Sequence, residues 1–506
     1  MPPLPPPSPW LIQGFQSLER GDAVTAEHQF RQALMMRRGE PQALQGLGLA
    51  LIRQNRQTEA RAPLEQAAAA LPKDAGCAAN LGALLIELGD HQTAETHLRR
   101  ATRAQPGMAA AWNNLGRVLM HLDRLDEAET VLRKALILTP DYAQCRENWR
   151  ETQDIRLHRL EQCGQYAKAL EEADKALQLD PTWDKARYFR ACTLLRLQRF
   201  AAGWADYRVK YDELQSLPLP EWQGEALAPP ATLLIRAEQG IGEQIMLTPL
   251  IERARGRCPQ IIAECDERMV PLMARSLPAI TWVPWTDPPA AALRDPAITR
   301  QFGLGRLPSL FLSDATAFGD GAAFLVPDPV RRDAARRVLG GDKPIIGLAW
   351  ASGRSPAAAR KNIPIAALRP LLTSLSARFV VLQYEPAAED MAELRSWGID
   401  LADCPDLDPM TDLEGFAATI AACDHVVTIS NATAHFAGAL GVPTTVLLSA
   451  CPLWHWFTET STSPWYSSLK LYRQKKDDGD WSDVMAAVIT DLALVSPHRL
   501  ELDGRR

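Results

Sequence analysis

Small residues recur along the first part of the chain at a fixed step of 34 residues. Three series keep this step: Gly14, Gly48, Gly82 and Gly116; Ala26, Ala60, Ala94 and Ala128; and Ala33, Ala67, Ala101 and Ala135. A unit of this length holds two antiparallel helices, and small side chains are needed where those helices approach closely. Pro72, Pro106 and Pro140 close three units, since proline cannot supply a backbone donor inside a helix. The pattern predicts a stacked array of helix pairs.

The segment from Trp112 to Gly116 resembles the tetratricopeptide repeat signature. A fifth unit covers 150–183 after a seven-residue insertion, and a degenerate sixth unit covers 184–217. We therefore predict an α-solenoid of tetratricopeptide repeats over residues 1–217. Such arrays leave a concave groove, which we expect to hold a protein partner. The alternative is that the array only stabilises or dimerises the protein.

The pattern of the chain changes after Arg208. A proline-rich segment at 218–230 predicts a linker. Short apolar runs then alternate with helical patterns, which predicts α/β structure. We place one α/β lobe at 231–330, a second at 331–490 and a tail at 491–506.

The first lobe begins with a strand, a glycine loop and a helix, at 232–236, 237–243 and 244–254. Ligands of α/β proteins bind at the carboxyl ends of strands, and Gly240 and Gly242 let a ligand approach the backbone. The loop lacks the third glycine of the dinucleotide fingerprint and the Gly-Lys-Ser/Thr of a P-loop. A dinucleotide-dependent oxidoreductase is therefore disfavoured, and a plain tight turn remains the alternative.

The second lobe contains a comparable corner. Apolar runs predict strands at 344–350, 379–384, 424–430 and 444–448 and a helix at 412–423. Small and hydroxyl residues open a further helix after the third strand: Asn431, Thr433, Ala434 and His435. The free backbone donors at a helix N-terminus suit a diphosphate. A strand-to-helix corner without a ligand is the alternative.

Composition narrows the class of protein. The net charge of −6 argues against a general nucleic-acid binder. The sequence has no run of about 18 apolar residues, so we predict no transmembrane segment. The proline-rich start is unlike a secretory signal. Nine scattered cysteines fit reduced thiols and a cytoplasmic location, and their spacing predicts no metal site.

Several motifs lie between about 200 and 490, among them Glu221-Trp222, Ser463-Pro-Trp465-Tyr466 and Arg473-Gln474. Together they resemble a bacterial family that joins tetratricopeptide repeats to a heptosyltransferase-like domain of the glycosyltransferase family 9 type. The resemblance implies two Rossmann-like lobes in the GT-B arrangement, with the nucleotide sugar on the second lobe and the acceptor on the first. It also implies inversion at the anomeric carbon without a required metal, and a nucleotide-sugar substrate rather than a cofactor.

The resemblance also implies roles for individual residues. Glu243 is the expected general base in place of the family's more usual aspartate; its alternative role is to stabilise the helix dipole. Lys361 is the expected cation for the diphosphate, or otherwise a solvated surface lysine. Ser352 is expected near a phosphate and Gln383 near the nucleoside. The family usually has Asp-Thr where this chain has Ser430 and Asn431, whose side chains can still donate or accept hydrogen bonds.

We therefore expect a glycosyltransferase whose repeats recruit a protein acceptor. Relatives with this layout include flagellin glycosyltransferases, which makes flagellin the leading candidate acceptor. The alternatives are an enzyme that modifies a lipopolysaccharide core and a non-catalytic repeat scaffold with a decayed transferase domain.

Overall fold

The computed structural model describes residues 8–211, 217–237, 240–353, 361–404, 407–476 and 478–495. The proline-rich start at 1–7 and the part of the predicted tail beyond 495 lie outside these residues. The chain divides into two compact units, Met1–Arg159 and Leu160–Arg506. Of the helices in the described ranges, none is long and apolar enough to cross a membrane.

The first unit consists of antiparallel helix pairs, which confirms the repeat prediction. Its helices are α1 (Pro9–Glu19), α2 (Ala23–Met36), α3 (Pro41–Arg53), α4 (Gln57–Ala70), α5 (Ala75–Glu87), α6 (His91–Ala104), α7 (Ala109–His121) and α8 (Leu125–Leu138). The next helix, α9 (Ala143–Gln162), has twenty residues whereas α7 has thirteen, and its greater length accounts for the seven-residue insertion.

The small residues of the period lie where paired helices meet. A Cβ atom added to Gly48, Gly82 or Gly116 would come within 2.4–2.5 Å of a leucine side chain on the partner helix. The periodic alanines are fully buried. Pro106 follows the last residue of α6 by two positions, as expected for a residue that cannot continue a helix. The 34-residue spacing therefore reflects close packing within each helix pair.

The second unit begins with the remaining repeat helices. These are α10 (Tyr166–Leu179), α11 (Asp184–Arg196) and α12 (Phe200–Tyr207), followed by a 3₁₀ turn at Arg208–Tyr211. Trp204 of α12 packs edge-on against Trp454, and its indole donates a hydrogen bond to the Leu312 carbonyl at 2.8 Å. These helices therefore belong to the same compact unit as the two sheets.

The first α/β segment contains a four-stranded parallel sheet in the order β3-β2-β1-β4. Its elements are β1 (Thr232–Arg236), α13 (Ile241–Leu247), α14 (Pro249–Arg255), β2 (Gln260–Cys265), α15 (Val270–Ser276), β3 (Thr281–Pro284), β4 (Ile298–Gly303) and α16 (Leu307–Phe311). The predicted helix at 244–254 is wrong in its start, which lies at Ile241. It is also divided at Thr248, because Pro249 has no backbone donor.

The second α/β segment contains a six-stranded parallel sheet in the order β10-β9-β8-β5-β6-β7. Its strands are β5 (Ile345–Ala349), β6 (Arg378–Val381), β7 (Asp400–Leu401), β8 (His425–Ile429), β9 (Thr444–Leu448) and β10 (Leu469–Arg473). Its helices are α17 (Pro329–Leu339), α18 (Ile365–Ser374), α19 (Ala388–Ser396), α20 (Leu413–Ala421), α21 (Ala432–Ala439) and α22 (Ser482–Val495). The strand predicted at 379–384 ends early, at Val381, which leaves Gln383 beyond the sheet.

Candidate functional site

The two glycines after β1 have different surroundings. Gly240 precedes α13 with a φ of −65°, and no described heavy atom lies within 4 Å of a Cβ built on it. Gly242 lies in the first turn of α13, where an added Cβ would be only 2.8 Å from Cδ2 of His435. Gly242 is therefore required by the packing of α13 on α21, whereas Gly240 faces open space. This packing brings the corner after β1 against the corner after β8.

Glu243, the expected base, lies in the first turn of α13 with 29% of its side chain exposed. Its carboxylate accepts hydrogen bonds from Nζ of Lys210 at 3.0 and 3.3 Å. Lys210 belongs to the 3₁₀ turn after α12, and its ammonium also lies 5.9 and 5.7 Å from the ring centres of Tyr188 and Tyr207. A cation from the end of the repeat region thus pairs with the expected base.

Lys361, the expected diphosphate cation, is half-buried. Burial lowers the pKa of its ammonium group, and the nearby charge of Glu243 partly opposes this effect. The same lysine lowers the pKa values of His435 and His455. Lys361 is therefore an electrostatic neighbour of residues from α13, α21 and the loop after β9.

The N-terminus of α21 is capped by its own residues. The Oδ1 atom of Asn431 accepts from the backbone N–H of Ala434 at 3.4 Å and from the hydroxyl of Thr428 at 3.0 Å. Thr433 and Ala434 are buried. Asn431 thus shapes the start of the helix, and the N–H of Ala434 is directed to this cap.

His435 is held on two sides within the core. Its Nδ1 lies 3.1 Å from the hydroxyl of Tyr466, and its ring stacks on Trp456 with centroids 5.4 Å apart. Burial, and then the charge of Lys361, lower the pKa of His435 to about 3, so its imidazole is neutral near pH 7. The indole of Trp456 donates to the hydroxyl of Ser430 at 2.7 Å, which ties this aromatic ring to the end of β8.

Ser352 and Gln383 lie beyond the carboxyl ends of β5 and β6. The backbone N–H of Ser352 donates to Oδ1 of Asn362 at 2.7 Å. The Oε1 atom of Gln383 accepts from the backbone N–H groups of Trp350 and Ala351 at 3.0 and 2.9 Å. Gln383 therefore orders the turn after β5. The segment 354–360, which follows this turn, lies outside the described residues.

Sequence reasoning missed His455, which lies in the 3₁₀ turn Trp454–Trp456 after β9. The residue is only 3% exposed, and neither Nδ1 nor Nε2 has a hydrogen-bond partner among the described residues. Its ring centre is 5.4 Å from that of His435. Burial lowers the pKa of His455 well below its ordinary value, and nearby His435, Lys361, Lys210 and Arg196 act in the same direction. The signal available in the sequence was a histidine between two tryptophans.

The loop that carries His455 is fixed to α11. Nε and Nη2 of Arg196 donate to the carbonyl oxygen of Pro452 at 3.3 and 3.1 Å. Arg196 also forms a buried ion pair with Glu161, whose carboxylate accepts from the Thr193 hydroxyl at 2.9 Å. The position of His455 therefore depends on a helix of the repeat region as well as on the second sheet.

Most of the predicted residues lie near the contact between α13 and α21: Gly242, Glu243, Lys361, Asn431, Thr433, Ala434 and His435. Gly240 precedes α13, and Ser352 and Gln383 lie beyond the ends of β5 and β6. Within the described ranges, no three His, Cys, Asp or Glu side chains are arranged so that they could hold a metal ion.

Comparisons with known proteins identify the repeats. The family model of the tetratricopeptide repeat matches residues 18–75 and 80–143. Protein FlbA of Caulobacter vibrioides is 30% identical over 329 residues, which cover 60% of this chain and 54% of FlbA. The chain therefore spans about half the length of this curated relative. Since 329 residues exceed the predicted array of 1–217, the similarity to FlbA extends beyond the repeats.

Solved structures of repeat proteins match one part of the chain. TTC0263, a tetratricopeptide repeat protein of Thermus thermophilus, is 25% identical, with a TM-score of 0.26, and the match covers 37% of this chain and 97% of TTC0263. YrrB, described as a tetratricopeptide repeat protein with an unusual peptide-binding site, is 23% identical, with a TM-score of 0.30. That match covers 36% of this chain and 90% of YrrB.

Proposed function

We propose that the protein is a glycosyltransferase that moves a sugar from a nucleotide-sugar donor to an acceptor. The observation that carries this proposal is the meeting of Glu243, Lys361 and His435 where the corner after β1 packs on the corner after β8. A carboxylate that can take a proton and a cation that can stabilise a departing phosphate are the two groups that glycosyl transfer needs. In this proposal the two parallel sheets are the two Rossmann-like lobes of a GT-B fold.

The proposed reaction follows from these two groups. Glu243 accepts the proton of the acceptor hydroxyl while the hydroxyl oxygen attacks the anomeric carbon. The bond from that carbon to the diphosphate breaks, and the diphosphate leaves with the electron pair. Lys361 and the start of α21 stabilise the negative charge of the leaving group. Attack opposite the leaving group inverts the anomeric centre. In this proposal Lys361 supplies the positive charge that stabilises the departing diphosphate.

The acceptor in this proposal is a protein recruited by the repeats. Stacked repeats form extended concave surfaces that suit a polypeptide. The similarity to FlbA supports the joining of repeats and α/β region as a unit, because it extends beyond the repeats. A flagellin-like protein is the acceptor implied by the family resemblance, and a lipopolysaccharide core would make less use of a long repeat array.

One observation favours the alternative of a non-catalytic scaffold. Ser430 replaces the family's usual aspartate, and its hydroxyl already accepts the hydrogen bond of the Trp456 indole. If the donor site has decayed, the protein retains a partner-binding array beside a domain that binds no nucleotide sugar.

A thermal-shift screen against ADP-, UDP-, GDP- and CMP-linked sugars separates the two functions. Binding to the native state raises the melting temperature by mass action, with about 2.7 kcal/mol of stabilisation at a hundredfold excess over Kd. We expect a shift with at least one donor that is lost in Lys361→Ala. The matched control is Lys343→Ala, since Lys343 precedes β5, is 51% exposed and pairs with Asp400. The proposal fails if no donor at millimolar concentration shifts the wild type, or if Lys361→Ala responds fully.

A further inference from the structure

We propose that His455 binds a phosphate oxygen of the donor, so that the turn Trp454–Trp456 forms part of the diphosphate site. This inference rests on the proposed function, because it assigns a further contact to the same substrate. The sequence predicted the diphosphate at the start of α21 and at Lys361, with Ser352 near a phosphate, and did not include His455.

The imidazole of His455 is buried without a hydrogen-bond partner among the described residues. A neutral histidine carries one N–H donor and one acceptor nitrogen, and a buried polar group without a partner costs roughly 1–3 kcal/mol. Neither nitrogen of His455 has a partner among the described residues, although the side chain is almost fully buried. His435, the neighbouring histidine, places its Nδ1 against Tyr466. An unpaired buried group of this kind calls for a physical explanation, and a bound ligand supplies one.

The charged groups around His455 are positive. The charged groups that act on His455 are Lys361, Lys210 and Arg196, and all three are cationic. Arg196 is occupied by Glu161, and Glu243 is paired with Lys210. An anion placed beside His455 would accept the imidazole N–H and balance the charge of Lys361. A phosphate suits this environment because it offers several strong acceptor oxygens.

The turn that carries His455 lies beside the expected diphosphate site. Trp456 bonds to Ser430 at the end of β8, and the indole of Trp465 donates to the carbonyl of His455 at 3.0 Å. These bonds hold the turn beside the first residues of α21, where the diphosphate cradle was expected. Because the nitrogens of His455 are not exposed to solvent, phosphate reaches them only when neighbouring side chains move.

Inorganic pyrophosphate is the probe that tests this inference without a sugar or an acceptor. Its affinity for the full chain is measured by isothermal titration calorimetry at pH 7.5, together with the melting temperature of each variant. For His455→Phe we expect an unchanged or raised melting temperature without ligand, because two unpaired nitrogens are removed. We expect its affinity for pyrophosphate to fall roughly tenfold or more, as for a lost hydrogen bond to a charged group.

Two further variants complete the test. His455→Gln guards against a folding defect of the phenylalanine variant, and we expect it also to bind more weakly than the wild type. His425→Gln is the matched control, because His425 lies in β8 and its Nε2 already contacts Thr445 at 3.0 Å. We expect His425→Gln to bind as the wild type does. Wild-type affinity in either His455 variant, or no binding of pyrophosphate by the wild type, would overturn the inference.

The outcome is distinguishable from failure of the proposed function. If pyrophosphate binds through His455 but no nucleotide sugar is consumed, the anion site stands and glycosyl transfer fails. If nucleotide sugars are consumed while His455→Phe binds pyrophosphate normally, transfer stands and the role of His455 fails.

Discussion

Gly242→Ala tests whether this glycine is required for packing or for contact with a ligand. The added Cβ would lie 2.8 Å from Cδ2 of His435, inside the 3.4 Å at which ordinary van der Waals contact begins. The histidine has little room to move, because its ring stacks on Trp456 and its Nδ1 is held by Tyr466. The methyl group must therefore push α13 away from α21.

The expected cost follows from two opposing effects. Overpacking a well-filled interior costs about 1–3 kcal/mol. Alanine regains up to about 1 kcal/mol over glycine inside a helix, and less in the first turn, where Gly242 lies. The expected net loss of about 1–2 kcal/mol corresponds to a fall of roughly 1–3 °C in the melting temperature of a unit as large as Leu160–Arg506.

Gly240→Ala is the control in the same corner. Its φ of −65° suits any residue, and the added Cβ meets no described atom within 4 Å. We expect the free energy of unfolding of this variant to stay within about 1 kcal/mol of the wild-type value. Thermal unfolding followed by circular dichroism measures this difference. If Gly240 faces the substrate, the same change weakens donor binding. The packing argument is refuted if Gly242→Ala is as stable as the wild type or more stable than Gly240→Ala.

Two further predictions concern stability. Gly116→Ala places a Cβ 2.4 Å from the Leu132 side chain and should destabilise the repeats by about 1–3 kcal/mol in urea unfolding. Gly107→Ala is the control and should not destabilise them, because its Cβ meets no described atom within 4 Å. Equal losses of stability in the two variants would contradict the conclusion that close packing causes the 34-residue period. The pKa of His435 is about 3 in the native protein, against an ordinary value of 6.5. Below pH 6.5 the unfolded chain therefore binds more protons than the native protein at this residue. The free energy of unfolding should fall by about 2 kcal/mol between pH 6.5 and 5. Urea unfolding at both pH values should show this loss reduced in His435→Gln, and an identical loss in the variant would exclude His435 as the cause.

The repeats were predictable from the sequence because their packing is local and recurs. Each periodic glycine meets a side chain of the same helix pair, so the constraint returns at every 34th residue. Four of the six strands of the second sheet, β5, β6, β8 and β9, were also visible as buried apolar runs, whereas β7 and β10 were not predicted. The start of α13 was harder to place, because Gly240 and Gly242 read as a loop although the second glycine is already helical.

The composition of the candidate site was only partly predictable. Glu243 and Lys361 entered through a family resemblance, and their roles remain predictions. Lys210 carries no local signal, and the histidine between two tryptophans at His455 does not by itself indicate a site, because the turns after α12 and β9 reach the site only through tertiary packing. An unpaired buried imidazole is likewise a property of the folded protein and has no counterpart in the sequence.

The most direct test of glycosyl transfer is the release of nucleoside diphosphate from a panel of nucleotide sugars in the presence of a flagellin-like protein acceptor, compared between the wild type and Glu243→Gln. Glutamine keeps the size of the side chain but cannot accept the acceptor's proton. We expect the wild type to release the diphosphate from one donor and the variant to do so roughly 10²–10⁴-fold more slowly. Equal rates in the two proteins, or no consumption of any donor by the wild type, would contradict the proposed function.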